Sequence, residues 1–347
     1  MAPVQRTASK IAWSVEKQDS FGSPLSNADL TRFLKLQEPI VIDESAEHWT
    51  DRGMIGTGHD WETQRGRIRQ YVRFEIPVQP LPVDFIGYLL ALLFSYDSSQ
   101  QLGSGAYEHT SRFQSLGTRP EAYVTTFAVQ EDGNDYYLQD IACASLTLRG
   151  EGSNRCEAGG SFLASRIGGT LSGYSWPEAS PLRYLYNYAG TFSIGGDSGK
   201  RAQLRSFELT LESGINTGLA WRKAAAEAER IYPCVWPYTP ERNLALGLTM
   251  LAESGDLADF RIAQQEGTAS EMIISCLGEK ISGTSPDDFD EIEITVPQAV
   301  CTRLDYGYDD GLLHLELDIQ GAWHEATGGP LSVKTVEGSV SGYFPTG

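Results

Sequence analysis

Basic residues are scarce. Lysine and arginine number 27 against 46 aspartates and glutamates, which leaves a net charge of −19. A nucleic-acid backbone is held by cationic side chains that replace its counterions, so this balance excludes a protein whose task is to grip one. It leaves room for a protein past which nucleic acid must slide. The five cysteines, at 143, 156, 234, 276 and 301, are odd in number and show no CxxC spacing. Neither a disulfide framework nor a zinc site is signalled, and they read as small core residues of a chain kept in a reducing compartment. MAPVQRTASK has no apolar h-region, so no secretory signal is expected. The longest apolar run, Phe85 to Phe94, is too short to cross a bilayer. No GxSxG, HExxH, Walker or Rossmann pattern occurs. Gly168-Gly169-Thr170-Leu171-Ser172-Gly173 lacks the lysine and the strand-to-helix context of a phosphate cradle. Histidines 48, 59, 109, 314 and 324 do not pair at metal-ligand spacing. No cofactor, no metal and no catalytic set is expected.

Core-forming residues are plentiful. The chain has 347 residues, 41% of them apolar, with seven tryptophans, which suits two packed units. Its 36 glycines and 16 prolines are scattered, as the turns of a mainly β protein require. An internal repeat supports the division. At one offset of 158, Pro240 falls on Pro82, Leu244 on Ile86, Leu248 on Leu90, Leu251 on Leu93, Cys301 on Cys143 and Leu304 on Leu146.

The walk along the chain gives an N-terminal arm at 1–34, a first domain at 35–167, a connection at 168–202, a second domain at 203–327 and a polar C-terminal tail at 328–347. Strands are predicted at 39–44 and 67–76, flanking a Gly-, His- and Trp-rich loop at 45–66. Leu81-Pro82-Val83-Asp84 opens an amphipathic helix carrying Ile86, Leu89, Leu90 and Leu93. Further strands are predicted at 122–129, 136–148 and 161–167. In the second half, strands are predicted at 203–212, 271–277, 291–296, 299–305 and 312–319. A short helix or ordered loop is expected at 216–230, and the repeat predicts a second helix from Pro240 to Leu251. Each unit then has about six strands and one short helix, the pattern of a β-sandwich or barrel with the helix on one side.

Two groups of residues are candidates for function. Glu44-Ser45 leads to Trp49 and Arg52, and Glu212-Ser213 leads to Trp221 and Arg222, residue types enriched at protein contacts. Glu291 and Glu293, opposite Ile292 and Ile294, and Glu316 and Asp318, opposite Leu315 and Leu317, give strands with one apolar and one acidic face. Pro286-Asp287-Asp288-Phe289-Asp290-Glu291 lacks the order and glycine of a calcium loop and reads as a turn, as does Asp305 with Asp309-Asp310.

The order of these segments resembles the tail tube proteins of long-tailed, non-contractile phages. The resemblance is carried by Glu16 before Phe21-Gly22-Ser23, and by Phe74-Glu75-Ile76 before Leu81-Pro82-Val83-Asp84 and Leu89-Leu90-Ala91-Leu92-Leu93. Glu108-His109-Thr110 and Arg205–Glu212 also fall where comparable segments are expected. One departure is Phe94-Ser95, where a glycine is expected after the helix. The resemblance implies two tandem tail-tube-like β-sandwich or barrel domains that self-assemble, three chains to a ring, into a hollow tube through which DNA passes. It also implies a virion location after assembly in the host cytoplasm. Partners would be further copies of the chain, a tape measure protein and tail terminator or tip proteins, with no membrane. Trp49, Arg52, Trp221 and Arg222 would then touch the adjacent ring, and Glu291, Glu293, Glu316 and Asp318 would line the bore. The alternatives are a tandem β-sandwich binding module for carbohydrate or a receptor, or a glycoside hydrolase.

Overall fold

The computed structural model describes residues 5–344 except 56–58, 103–104, 115–120, 132–133, 172–173, 180–181, 197–203, 218–220, 224–230, 240–241, 254, 282–287 and 326; side chains at 5–7, 44–70, 131, 169–170, 189, 221–223, 231–232 and 309 are likewise outside the description. The first half runs β1 Gln5–Trp13, β2 Arg32–Ile55, β3 His59–Pro80, α1 Val83–Phe94, β4 Ser98–Leu102, β5 Ala106–Arg112, β6 Thr125–Glu131, β7 Asn134–Glu151, β8 Glu157–Ala164 and β9 Arg166–Thr170. The second runs β10 Phe192–Ile194, β11 Leu204–Glu212, β12 Trp221–Lys223, β13 Ile231–Pro233, β14 Asn243–Leu251, α2 Asp256–Glu266, β15 Ala269–Lys280, β16 Phe289–Asp309, β17 Leu312–Gly321 and β18 Ser332–Glu337. The chain is mainly β, as its turn-rich composition predicts.

In the first half six strands close into a barrel, β1-β2-β3-β8-β7-β6, with β6 returning to β1. The second half repeats the pairings β11–β14, β14–β17, β17–β16, β16–β15 and β15–β10. Among the described residues it does not close, since β10 and β11 show no pairing; β11 pairs with β7 of the barrel. Cys143 on β7 and Cys301 on β16 mark the correspondence. Each is buried at a bulge, with its Sγ against the carbonyl two residues on.

Helix α1 begins after Pro82, whose missing N–H costs nothing there, and Asp84 in its first turn complements the dipole. Every residue but Asp84 is buried, so the helix is enclosed on all sides rather than packed on one. Its exit uses Ser95 in the left-handed region (φ 50°) where glycine is expected. The substitution is used: Ser95 Oγ lies 2.6 Å from the Tyr238 hydroxyl and accepts the Tyr123 N–H at 2.7 Å.

Four expectations need correction. Pro240 to Leu251 does not repeat the helix: Asn243–Leu251 is strand β14, with Leu244, Leu246, Leu248 and Met250 buried in alternation. Leu244 and Leu248 share a face in either structure, since four residues suit both periods; Leu246 and Met250 decide for the strand. The second helix is α2, which starts thirteen residues after Asn243. No single offset holds because β4, β5 and the segment to β6 are inserted between α1 and β6, whereas α2 runs almost directly into β15. The N-terminal arm supplies β1, whose Ile11, Ala12 and Trp13 are buried barrel residues. The C-terminal tail supplies β18, which lies between β16 and β5 and so ties the two halves together a second time. Finally, the Gly-, His- and Trp-rich loop at 45–66 is largely strand, a long continuation of the β2–β3 hairpin.

The C-terminal segment is pinned by a buried polar group. Tyr343 and Phe344 are buried beside Tyr88 of α1, and Tyr343 donates to the Asp84 carbonyl at 2.7 Å. His109 on β5, 1% exposed, faces acceptors at both ring nitrogens: Asp97 carboxylate 3.1 Å from Nδ1 and the Val340 carbonyl 3.0 Å from Nε2. The Glu337 carboxylate is 3.4 Å from Nε2. Two acceptors demand two N–H groups, so the ring is an imidazolium. Burial alone would pull its pKa down, but the bonds to Asp97 and Glu337 outweigh it and hold it up at about 9. The folded value lies above the unfolded one, about 6.5. The stability from this group is therefore complete below about pH 6.5 and is lost as pH rises through 9. Thermal denaturation should show Tm falling between pH 7 and 9.5. His109→Ala should remove that slope and destabilise by about 3–5 kcal/mol, having stranded two buried carboxylates. A wild-type Tm flat across this range would contradict the assignment.

Candidate functional site

The β11–β7 junction joins the strands of the two halves into one sheet. Seven residue pairs run from Ser206↔Glu151 to Glu212↔Ser145. Their inner face is apolar, with Leu209 opposite Leu148 and Leu211 opposite Leu146, all buried. Gly150 lies opposite Phe207, and a Cβ there would stand 2.3 Å from the Phe207 ring, so the glycine makes room for the ring. Ser213 N–H continues the junction by donating to the carbonyl of Ala144 at 2.9 Å.

The other face continues without a break through β3, β8, β7, β11, β14, β17 and the second part of β16. One row reads Glu157, Arg149, Glu208, Gly247, Asp318, Arg303, and the next Glu151, Ser206, Thr249, Glu316, Asp305. A third reads Gly159, Thr147, Thr210, Ala245, with Thr147 and Thr210 hydroxyls 3.3 Å apart across the junction. A fourth reads Glu75, Ser161, Ser145, Glu212, Asn243. These rows are thus small-chained and acidic, with Arg149 and Arg303 as their cations; Arg73 of β3 lies on the same face beside Glu75. Arg303 is itself neutralised by Asp305 and by Asp318 at 3.7 Å.

The four candidate acidic residues separate here. Glu316 and Asp318 lie exposed on this face, opposite buried Leu315 and Leu317. Glu291 and Glu293 do not share it. They lie on the first part of β16, between β15 and β18, where Lys334 Nζ is 3.3 Å from Glu293 and 4.0 Å from Glu108. Burial there pushes Glu291 up. Pro297 and the bulge at Cys301 divide β16 into these two environments. In the acidic turn, Pro286 and Asp287 lie outside the described residues, while Asp290 is buried with Arg183 Nε at 2.5 Å. Asp310 and Gly311, both at positive φ, close the β16–β17 hairpin.

Trp49 and Arg52 fall on the β2–β3 hairpin, opposite Gly66 and Glu62, and Trp221 and Arg222 on β12, opposite Pro233 and Tyr232. Their side chains lie outside the description. Both segments connect the first pair of core strands of their unit, β2 to β3 and β11 to β14. The Glu-Ser correspondence is out of phase, however: Phe74 pairs with Ile42 as Leu246 pairs with Leu209, which sets Glu44 against Leu211. Trp236, which the sequence did not single out, fixes the second connection by donating from Nε1 to the Asp140 carbonyl at 2.7 Å and packing on Ala142 and Leu163.

No family model matches the chain, and no curated protein matches it.

The junction is open to a direct test. Gly150→Val would force two methyls into the Phe207 ring, an overpacking cost of about 1–3 kcal/mol. Calorimetry should show lowered stability, and Gly247→Val, on strand β14 with nothing within 4 Å of a Cβ, serves as the comparison for the same change without the ring contact. Unchanged stability of Gly150→Val would show that Phe207 is free to move aside.

Proposed function

We propose that this chain is a structural tube subunit, three copies of which join head to tail into a ring that stacks into a hollow tail tube for DNA delivery. The observation that carries the reading is the β11–β7 junction with its unfilled counterpart. Cys143 corresponds to Cys301, so Ser145–Glu151, which receives β11, corresponds to Arg303–Asp309. Among the described residues those positions pair with β17 alone. Tyr306 and Tyr308 there are 54% and 75% exposed. An unpaired edge invites another chain, and a contact between unlike surfaces repeats until a rotation closes it. The second copy would offer β2, the counterpart of β11, and Ile42 would meet Tyr306 as Leu209 meets Leu148.

Dimensions agree. Each domain contributes four strands to the shared sheet: β2, β3, β8 and β7, then β11, β14, β17 and β16. Three chains closed at about 4.8 Å per strand give a backbone diameter of about 37 Å, wider with strand tilt. The small, acidic face would then line the bore, with Glu316 and Asp318 on it, and repel DNA from the wall. A bore of this width would also hold an elongated tape measure protein during assembly. The β2–β3 hairpin and the β11–β14 connection, with Trp49, Arg52, Trp221 and Arg222, would reach the next ring.

Electron microscopy and native mass measurement on purified protein test the reading. Rings should contain three chains. Tyr306→Asp should change Tm little, because the ring is half exposed and an Asp beside Arg261 replaces its cation–π contact with an opposite charge, and should hold the protein as a monomer. Six chains per ring, or a stable monomer at high concentration, would overturn it. Replacing Trp221 and Arg222 with Ala should lower tube yield while leaving isolated rings at the same mass; unaltered tubes would remove these residues from the inter-ring contact.

A further inference from the structure

The two repeats differ at one edge. At the junction, β11 from Ser206 to Glu212 is covered by β7. The correspondence of Ile42 with Leu209 places the same edge in the first domain on β2 near Ile40–Asp43. There it is covered by the chain's own beginning: Gln5 pairs with Asp43, Arg6 with Ile42, Thr7 with Val41 and Ala8 with Ile40.

Only the later part of β1 has a counterpart in the second domain. Lys10–Ala12 pairs with Gln130–Ala128 of β6, as Phe192–Ile194 pairs with Ile274–Met272 of β15. Before Phe192 the chain stays on β15, Thr191 and Ser275 exchanging hydrogen bonds, and so leaves β11 to β7. Before Lys10 the chain instead leaves β6 and, after a break in register, continues along β2, with which Lys10–Trp13 also pairs. The outer part of β1 has β2 on one side and, among the described residues, no strand on the other.

We propose that Gln5–Ala8 is a placeholder strand: it caps the β2 edge of the free chain and is displaced by the Arg303–Asp309 edge of a second copy when chains join. The inference rests on the head-to-tail reading above. A bare β2 edge would template indiscriminate pairing, and four local residue pairs prevent it. The incoming edge offers the longer pairing seen at the junction, seven residue pairs. Strand exchange can proceed pair by pair, so β2 need never expose a run of unmet backbone groups to the interface. Thr302 marks where the exchange would end. Its carbonyl now accepts from Gln264 Nε2 at 3.2 Å, whereas its counterpart, Ala144, accepts from the incoming Ser213 N–H.

The test compares assembly kinetics by light scattering of three full-length forms with a form lacking residues 2–7. Thr7→Cys with Val41→Cys creates a pair whose paired Cα atoms fall within disulfide range. Cys234→Ser is included throughout, because Cys234 is the half-buried native thiol. The full-length forms are the Cys234→Ser parent and the double-cysteine protein, oxidised and reduced. The oxidised form should remain unassembled and the reduced form should assemble as the parent does. The truncated form should assemble with a lag about tenfold shorter, the size of effect expected from one or two backbone hydrogen bonds no longer needing to break. Oxidised protein that assembles at the parent's rate overturns the placeholder, whether or not the truncated form folds, and so does a truncation that leaves the lag unchanged. If every form stays monomeric at high concentration, the head-to-tail reading falls first and this inference with it.

Discussion

A strand at the margin of a sheet carries a row of backbone donors and acceptors that water or another strand must satisfy, and the architecture follows from where those rows end. The first domain removes its margins by closing β6 onto β1. In the second, among the described residues, Phe192–Ile194 pairs with β15 and not with β11. Its unmet edge is satisfied by the neighbouring barrel, so β7 carries β8 on one side and β11 on the other along its second half. A similar need places β18 between β16 and β5. The two halves are therefore joined by strand pairing at β11–β7 and at β18–β5, and one apolar cluster runs through both.

Enclosure of α1 is the second consequence. With β5, β7, β16 and β18 around it, the helix is apolar on every face, and Gly87 is needed where the Tyr343 hydroxyl would stand 2.8 Å from a Cβ. Its counterpart α2 packs mainly on β16 and buries only Asp256 and Phe260. The same topological position thus holds an interior helix in one domain and a surface helix in the other. The difference lies in the inserted β4–β5 hairpin and in the C-terminal strand, which close over α1 and have no equivalent over α2.

This asymmetry explains what could be read in the sequence. Period-two strands such as Leu204–Glu212 and Leu312–Gly321 were legible because one face is buried and the other wet. Helix α1 was legible from its proline and dense apolar run. Helix α2 was not, since DLADFRIAQQE offers a single buried aromatic and no stripe; its signals were the acidic first turn and Gly267 at φ 65°. The spacing of Leu244 and Leu248 suited helix and strand alike, and the repeat resolved it wrongly. Of the acidic candidates, Glu316 and Asp318 could be placed on one wet face by alternation, but alternation cannot say which sheet a face belongs to. That is why Glu291 and Glu293, on the first part of β16, lie apart from Glu316 and Asp318 on β17. His109 gave no signal because its two acceptors, Asp97 and the Val340 carbonyl, come from distant parts of the chain.

The charge of −19 acquires a location from the same topology. Outward positions on the four rows are Ser, Thr, Gly, Ala, Asn and carboxylates, with Arg149 and Arg303 as interruptions, and beyond those rows the same face carries Arg73, Leu163, Leu251 and His314. Bulky side chains there would narrow any channel the sheet encloses, and cations would hold a polyanion by counterion release. Carboxylates do neither, and the Debye length of about 8 Å at physiological salt keeps their field close to the wall. A channel built from this face would therefore repel a duplex only where it nears the side. In the proposed tube this face would meet neighbours through its edges and offer a polyanion few attachments through its surface, so assembly and passage would draw on different atoms of the same strands.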